Sequence, residues 1–151
     1  MMDKQSKKNY VEEMKKNFSS NESVMIAQYQ GLNVKQLDQL RKELRDKGIL
    51  FKITKNRITK IAIKDTQVKD LEKYFKGPTA AAISSDPIST AKILTRFAKS
   101  HANLKIVAGF MDGKVLDQKE VAIIATLPSL EEARAKIVGI LTSPAQKLVS
   151  I

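Results

Sequence analysis

The sequence predicts an α+β domain, a mixed β-sheet packed by helices, and three observations carry that prediction. Apolar runs of strand length alternate with longer segments whose apolar residues recur every three or four positions. An Asp-Gly pair at 112–113 separates two of the short runs. The balance of 42% hydrophobic to 28% charged residues is that of a chain that folds around a core. Strands joined through helices run parallel and a two-residue turn joins antiparallel ones, so both directions are expected in one sheet. The 151 residues are expected to form one globular unit over 1–142, followed by the start of a further helix over 143–151.

Tyr10, Val11, Met14 and Phe18 recur at helical spacing and predict an amphipathic helix over 3–18, beginning at Asp3. "SVMIAQY" at 23–29 is a strand, and "QGLN" turns it into a second helix. There Asn33 and Gln36 have capping-box spacing, and Val34, Leu37, Leu40 and Leu44 form the stripe expected to be buried. Gly48 ends that helix as a left-handed cap. "ILFKI" at 49–53 is a strand, and a helix follows from Lys55 with Ile58, Ile61 and Ala62 expected inward. "VKDLEKYF" adds a further turn or two before Gly77 and Pro78 break it, and "TAAAIS" is the third strand.

In the second half, Ser85 or Asp86 caps a helix with Pro87 in its first turn and Ile88, Ala91, Leu94, Phe97 and Ala98 on one face. "LKIVAGF" is a strand turned by Asp112 and Gly113 into "KVL". Asp117 with Glu120 caps one helix, and Ser129 with Glu132 another, whose stripe is Leu130, Ala133, Ile137, Val138 and Leu141. Pro144 is expected to open the last helix.

The formal charge is +11 and it is unevenly spread: residues 31–64 hold ten Lys and Arg against three acids. A basic block that also carries periodic apolar residues is a folded basic surface, which points to a polyanion such as nucleic acid rather than to a solvated tail. Its densest part is "FKITKNRITK" at 51–60, where Lys55, Arg57 and Lys60 crowd the start of a helix, the end at which a cation is electrostatically disfavoured. A bound phosphate removes that conflict.

The pattern argues against catalysis. A P-loop needs four residues between its glycines and a hydroxyl after its lysine, whereas Gly109 and Gly113 enclose three and Val115 follows Lys114. No cysteine is present and His101 is the single histidine, so no metal cluster is expected and no cofactor is implied. The N-terminus lacks a signal-peptide core and no apolar run approaches the ~20 residues of a membrane span. A cytoplasmic protein with no membrane partner and no small-molecule substrate is the expectation.

Six blocks, "YQGLNVKQLDQLRKELRDKG", "FKITKNRITKIA", "KGPTAAAIS", "DPISTAKIL", "GFMDGKVL" and "LPSLEEARAKIVGIL", resemble in order and spacing the bacterial ribosomal stalk-base family, the tenth protein of the large subunit. The resemblance spans the whole chain. It implies a non-enzymatic ribosomal protein with a ferredoxin-like arrangement. Its partners would be large-subunit rRNA, the neighbouring eleventh protein of that subunit, and acidic stalk-protein dimers that recruit translational GTPases. It also implies rRNA contact by Lys55, Asn56 and Arg57, the residues matching the family's RNA-facing segment, with Lys52 and Lys60 beside them. Gly31 and Arg41 match family positions as well. For Gly31 plain turn geometry remains open, for Arg41 a solvated helix surface, for Asn56 a helix cap, and for Arg57 and Lys60 a solvated position. Eight aromatics, none of them Trp, count against a single-strand stacking platform and favour recognition of folded RNA.

In the family the last helix continues and receives the stalk dimers, and here Ala145, Leu148 and Val149 begin the matching stripe. The sequence ends at Ile151, so a truncated dimer site is the expectation. An assembly factor that uses the same domain to hold the stalk site transiently is the alternative function.

Overall fold

A computed structural model of the protein describes residues 4–149. In order they form α1 (Lys4–Ser20), β1 (Ser23–Gln28), α2 (Val34–Asp46), β2 (Leu50–Ile53), α3 (Asn56–Ile63), a 3-10 segment (Lys69–Tyr74), β3 (Thr79–Ser84), α4 (Pro87–Ser100), β4 (Lys105–Met111), β5 (Lys114–Asp117), α5 (Gln118–Thr126) and α6 (Leu130–Val149). The expected helix start at Asp3 and the chain end at Ile151 lie outside the described residues.

The five strands lie in the order β2-β3-β1-β4-β5, and every neighbouring pair is antiparallel. The expectation of mixed directions is therefore corrected. Helices do join β1 to β2 and β3 to β4, and the members of each pair do run the same way. Each pair is interleaved, however, with a strand of the other. β3 separates β1 from β2 and β1 separates β3 from β4, so no parallel neighbours remain. This interleaving is the ferredoxin-like arrangement, extended by β5 through a two-residue turn. Asp112 and Gly113 have φ of 50° and 80°, as the turn type that matches strand twist requires.

Helices cover both faces, which explains why the central residues of β1 and β3 are apolar in an unbroken run rather than alternating. On one face Met25, Ala27 and Ala82 pack under Leu40 and Leu44 of α2, Ala91, Leu94 and Phe97 of α4 and Val121 of α5. On the other, Val24, Ile26, Ala81, Ile83, Ala108 and Phe110 pack under Met14 and Phe18 of α1, Ala62 and Ile63 of α3, and Leu71 and Phe75 around the 3-10 segment.

Two inward assignments fail. Val34 is 72% exposed because it occupies the first turn of α2, beyond the reach of the sheet; α2 buries only Leu40 and Leu44. Ile61 is 58% exposed, since the inward arc of α3 is Thr59, Ala62 and Ile63, rotated by about one residue (~100°) from the expected one. The last helix is also different: α6 is one element through Pro144, so no new helix starts at 143. Proline removes a single backbone donor there, and at an exposed position water satisfies the carbonyl left over.

Candidate nucleic-acid interface

Because β1 and β2 run one way and β3 and β4 the other, the exits of the first pair and the entries to the second fall at one end of the sheet. Gln28, the last residue of β1, lies opposite both Thr79 and Lys105, the first residues of β3 and β4. Four connections meet there: 29–33, 54–55, 75–78 and 101–104.

Amide side chains tie these loops to one another. Asn103 Nδ2 donates to the Gly31 carbonyl at 2.7 Å, and Gln28 Nε2 to the Lys76 carbonyl at 2.9 Å. Gly31 has φ of 91°, which favours glycine, and a Cβ on it would come within 3.3 Å of Asn103 Cγ, so the Asn103 side chain would have to shift by a few tenths of an ångström. Asn56 uses both ends of its amide inside the protein: Nδ2 donates to the Gly77 carbonyl at 2.7 Å, and Oδ1 accepts from Thr79 Oγ1 at 2.6 Å. Buried Thr54 closes the group by donating Oγ1–H to the Thr79 carbonyl.

Asn56 therefore does not cap α3. The cap position is Lys55, which makes no side-chain capping hydrogen bond, and its carbonyl accepts from the N–H groups of Ile58 and Thr59. The first turn of α3 contains no acid. The positive end of this helix thus stands beside the exposed Lys55 and Arg57. Backbone N–H groups and cations at a helix start are the groups that anions bind.

Other sequence-predicted residues lie elsewhere. Lys52 is ion-paired with Glu13, and Arg41 lies 3.4 Å from Asp38; with Arg45 and Tyr10 they line a groove of about 480 Å³ along the outer edge of β2. Lys60, in the last turn of α3, faces Lys69, Asp70, Glu72 and Lys73. The sheet end instead collects Gly31, Lys55, Asn56 and Arg57 with Gln28, Lys76, Asn103 and Lys105, four residues that sequence reasoning missed. No local spacing signals them, because their meeting depends on strand register.

Among the described residues, the side-chain bonds from α6 to the rest of the domain lie at its start. Ser129 N–H donates to Glu132 Oε2 at 3.0 Å, the Glu132 N–H returns to Ser129 Oγ, and Lys92 reaches Glu132 from α4. The Lys92 ammonium and then the Ser129 N–H hold the Glu132 carboxyl below its ordinary pKa. Beyond this turn Ile137, Val138, Ile140, Leu141, Ala145, Leu148 and Val149 are exposed. Among the described residues, no helix is long and apolar enough to cross a membrane.

Residues 2–99 match the family model described as ribosomal protein L10. The chain is 54% identical over 150 residues to the large ribosomal subunit protein uL10 of Pelagibacter ubique, covering 99% of this chain and 90% of that one. It is 41% identical over 150 residues to uL10 of Rhodospirillum rubrum, at 99% and 87% coverage. Against uL10 of Rickettsia bellii it is 42% identical over 135 residues, at 89% and 80%.

Proposed function

The chain belongs to the ribosomal protein L10 family and is a structural constituent of the large ribosomal subunit, and from this we propose that it holds rRNA at the loop-bearing end of its sheet. One observation carries the reading: α3 begins with no acid and no side-chain cap between two exposed cations, on loops already fixed to one another. A phosphate there gains the backbone N–H groups of the first turn together with Lys55 and Arg57. Asn56 serves by holding the 54–56 and 77–79 segments together, its amide being engaged on both sides. Gly31 brings backbone close to the same surface. Arg41, Lys52 and Lys60 form flanking contacts with the rRNA backbone. On the same reading the exposed stripe of α6, with Ala145, Leu148 and Val149, receives acidic stalk-protein dimers, and the eleventh large-subunit protein is the neighbour on the rRNA.

Binding of a large-subunit rRNA transcript at increasing salt tests the first part. Each phosphate contact contributes roughly 0.9 to the slope of log affinity against log salt. Lys55→Glu with Arg57→Glu should lower the slope by about two contacts' worth while melting stays as in the parent chain. An unchanged slope would remove both residues from the interface. Titration with purified acidic stalk protein tests the second part: Leu141→Asp with Leu148→Asp should abolish binding if α6 is the receptor. Sedimentation separates the assembly-factor alternative, since a structural constituent stays with mature subunits through translation.

A further inference from the structure

Two adjoining depressions lie where α4 meets β4, next to the Gly31 loop. The first, about 290 Å³, is lined by Gln28, Gln30, Ala102, Asn103 and Lys105. The second, about 320 Å³, lies between α4 and α5 and shares Ala102 and Lys105 with it. Its apolar lining comes from Ala98, Leu104, Ile106 and Ala122, with Lys99 as a second cation. Neither contains an acid, whereas the cleft between α2, α4 and α6 has Glu43, Asp46 and Glu132, and the one beside the 3-10 segment has Asp70 and Glu72.

Thr95 lines the apolar depression, and its Oγ1 is buried without a hydrogen-bond partner among the described residues. An unpaired buried hydroxyl is costly unless something supplies the missing partner. The two depressions together have the chemistry of one nucleotide. An apolar slot carrying one buried donor and acceptor suits a base, the amides of Gln30 and Asn103 at its mouth suit a ribose, and Lys105 and Lys99 suit phosphates.

Resting on the proposal that the sheet end binds rRNA, we infer that this corner takes one unstacked nucleotide of the bound rRNA, its base inserted between α4 and α5 against Thr95. A base can enter only if it has left its helix, so the corner selects a loop or bulge rather than duplex RNA. Continuity with the Gly31 loop through Asn103 places the extruded nucleotide at the margin of the same footprint. The contact adds specificity to an interface whose other contacts go to the backbone.

Base-specific alkylation of a large-subunit rRNA transcript, with and without protein, tests the inference. Thr95→Val with Lys105→Gln should expose one or two adjacent nucleotides that the parent chain protects, leave the other protections intact, and weaken binding by roughly tenfold, the scale of one specific base contact. Ala122→Trp, which fills the slot from the exposed side of α5, should remove the same protection. Unchanged protections and affinity in both variants would overturn the inference. If Lys55→Glu with Arg57→Glu still weakens binding in that case, the sheet-end reading survives and the nucleotide slot alone fails. A parent chain that protects no rRNA nucleotide overturns both.

Discussion

The loop-bearing end of the sheet and helix α6 are both candidate binding surfaces, and they are built in opposite ways. At the sheet end, irregular backbone is held by side-chain amides: Asn103 on Gly31, Gln28 on Lys76, Asn56 between Gly77 and Thr79. Its cations project from a frame whose shape is settled before any partner arrives. In α6 the apolar residues Ile137, Val138, Ile140, Leu141, Leu148 and Val149 are exposed, and among the described residues Ser129, Glu132 and Lys92 tie its first turn to the domain. A polar partner with a shape of its own, such as folded RNA, rewards a pre-arranged surface, because less ordering entropy is spent on binding. An apolar stripe on a regular helix needs no such arrangement; its spacing is set by the helix itself.

That contrast can be broken by mutation, beginning with the core beneath the sheet end. Leu40→Ala or Phe97→Ala should cost about 2 to 5 kcal/mol in a denaturant titration, since both side chains are buried under the sheet. A parental midpoint for either would show that the α2 and α4 layer does not hold the loops.

Asn56→Ala should cost less, about 1 to 2 kcal/mol, by removing the donor to the Gly77 carbonyl and one of the two hydroxyl contacts of Thr79, which keeps Thr54 Oγ1. It should weaken rRNA binding without lowering the salt slope, which separates a residue that positions from one that touches phosphate. Gly31→Ala should cost about 1 to 2 kcal/mol, because φ of 91° is strained for any residue with a Cβ and Asn103 must give way. Leu141→Ser on α6 should stay within about half a kcal/mol of the parent, as expected for a side chain 73% exposed. A large loss there would mean that α6 packs on the domain.

The smallest effect expected is a pH step at the root of α6. The folded pKa of Glu132 is depressed, chiefly by Lys92 and then by the Ser129 N–H, so its contribution is present above the ordinary carboxylate range and is lost as pH falls through the folded value. Amide protection in the first turn of α6, taken relative to the intrinsic exchange rate at each pH, should fall on acidification, and Glu132→Gln should remove that pH dependence. The carboxyl is largely solvated, which keeps the effect small.

Much of this architecture is written in local chemistry. Caps at Asn33, Asp86, Asp117 and Ser129, the left-handed Gly48, and the Asp112-Gly113 turn are read within a few residues, and each stands where its residue types require. The basic character of 31–64 is likewise a property of composition, as is the apolar spacing of α6. Helix faces were harder. The inward arcs of α2 and α3 depend on the layer lying beneath them, so Val34 and Ile61 turned outward while Thr59 turned in. Strand direction and register were decided by the whole fold: interleaving two parallel pairs makes every neighbour antiparallel, and it carries Gly31, Asn56, Gly77 and Asn103 to one end. A hydrogen bond between residues 72 apart, such as Asn103 to Gly31, has no trace in spacing or composition, because its partners meet only after the sheet has chosen its order.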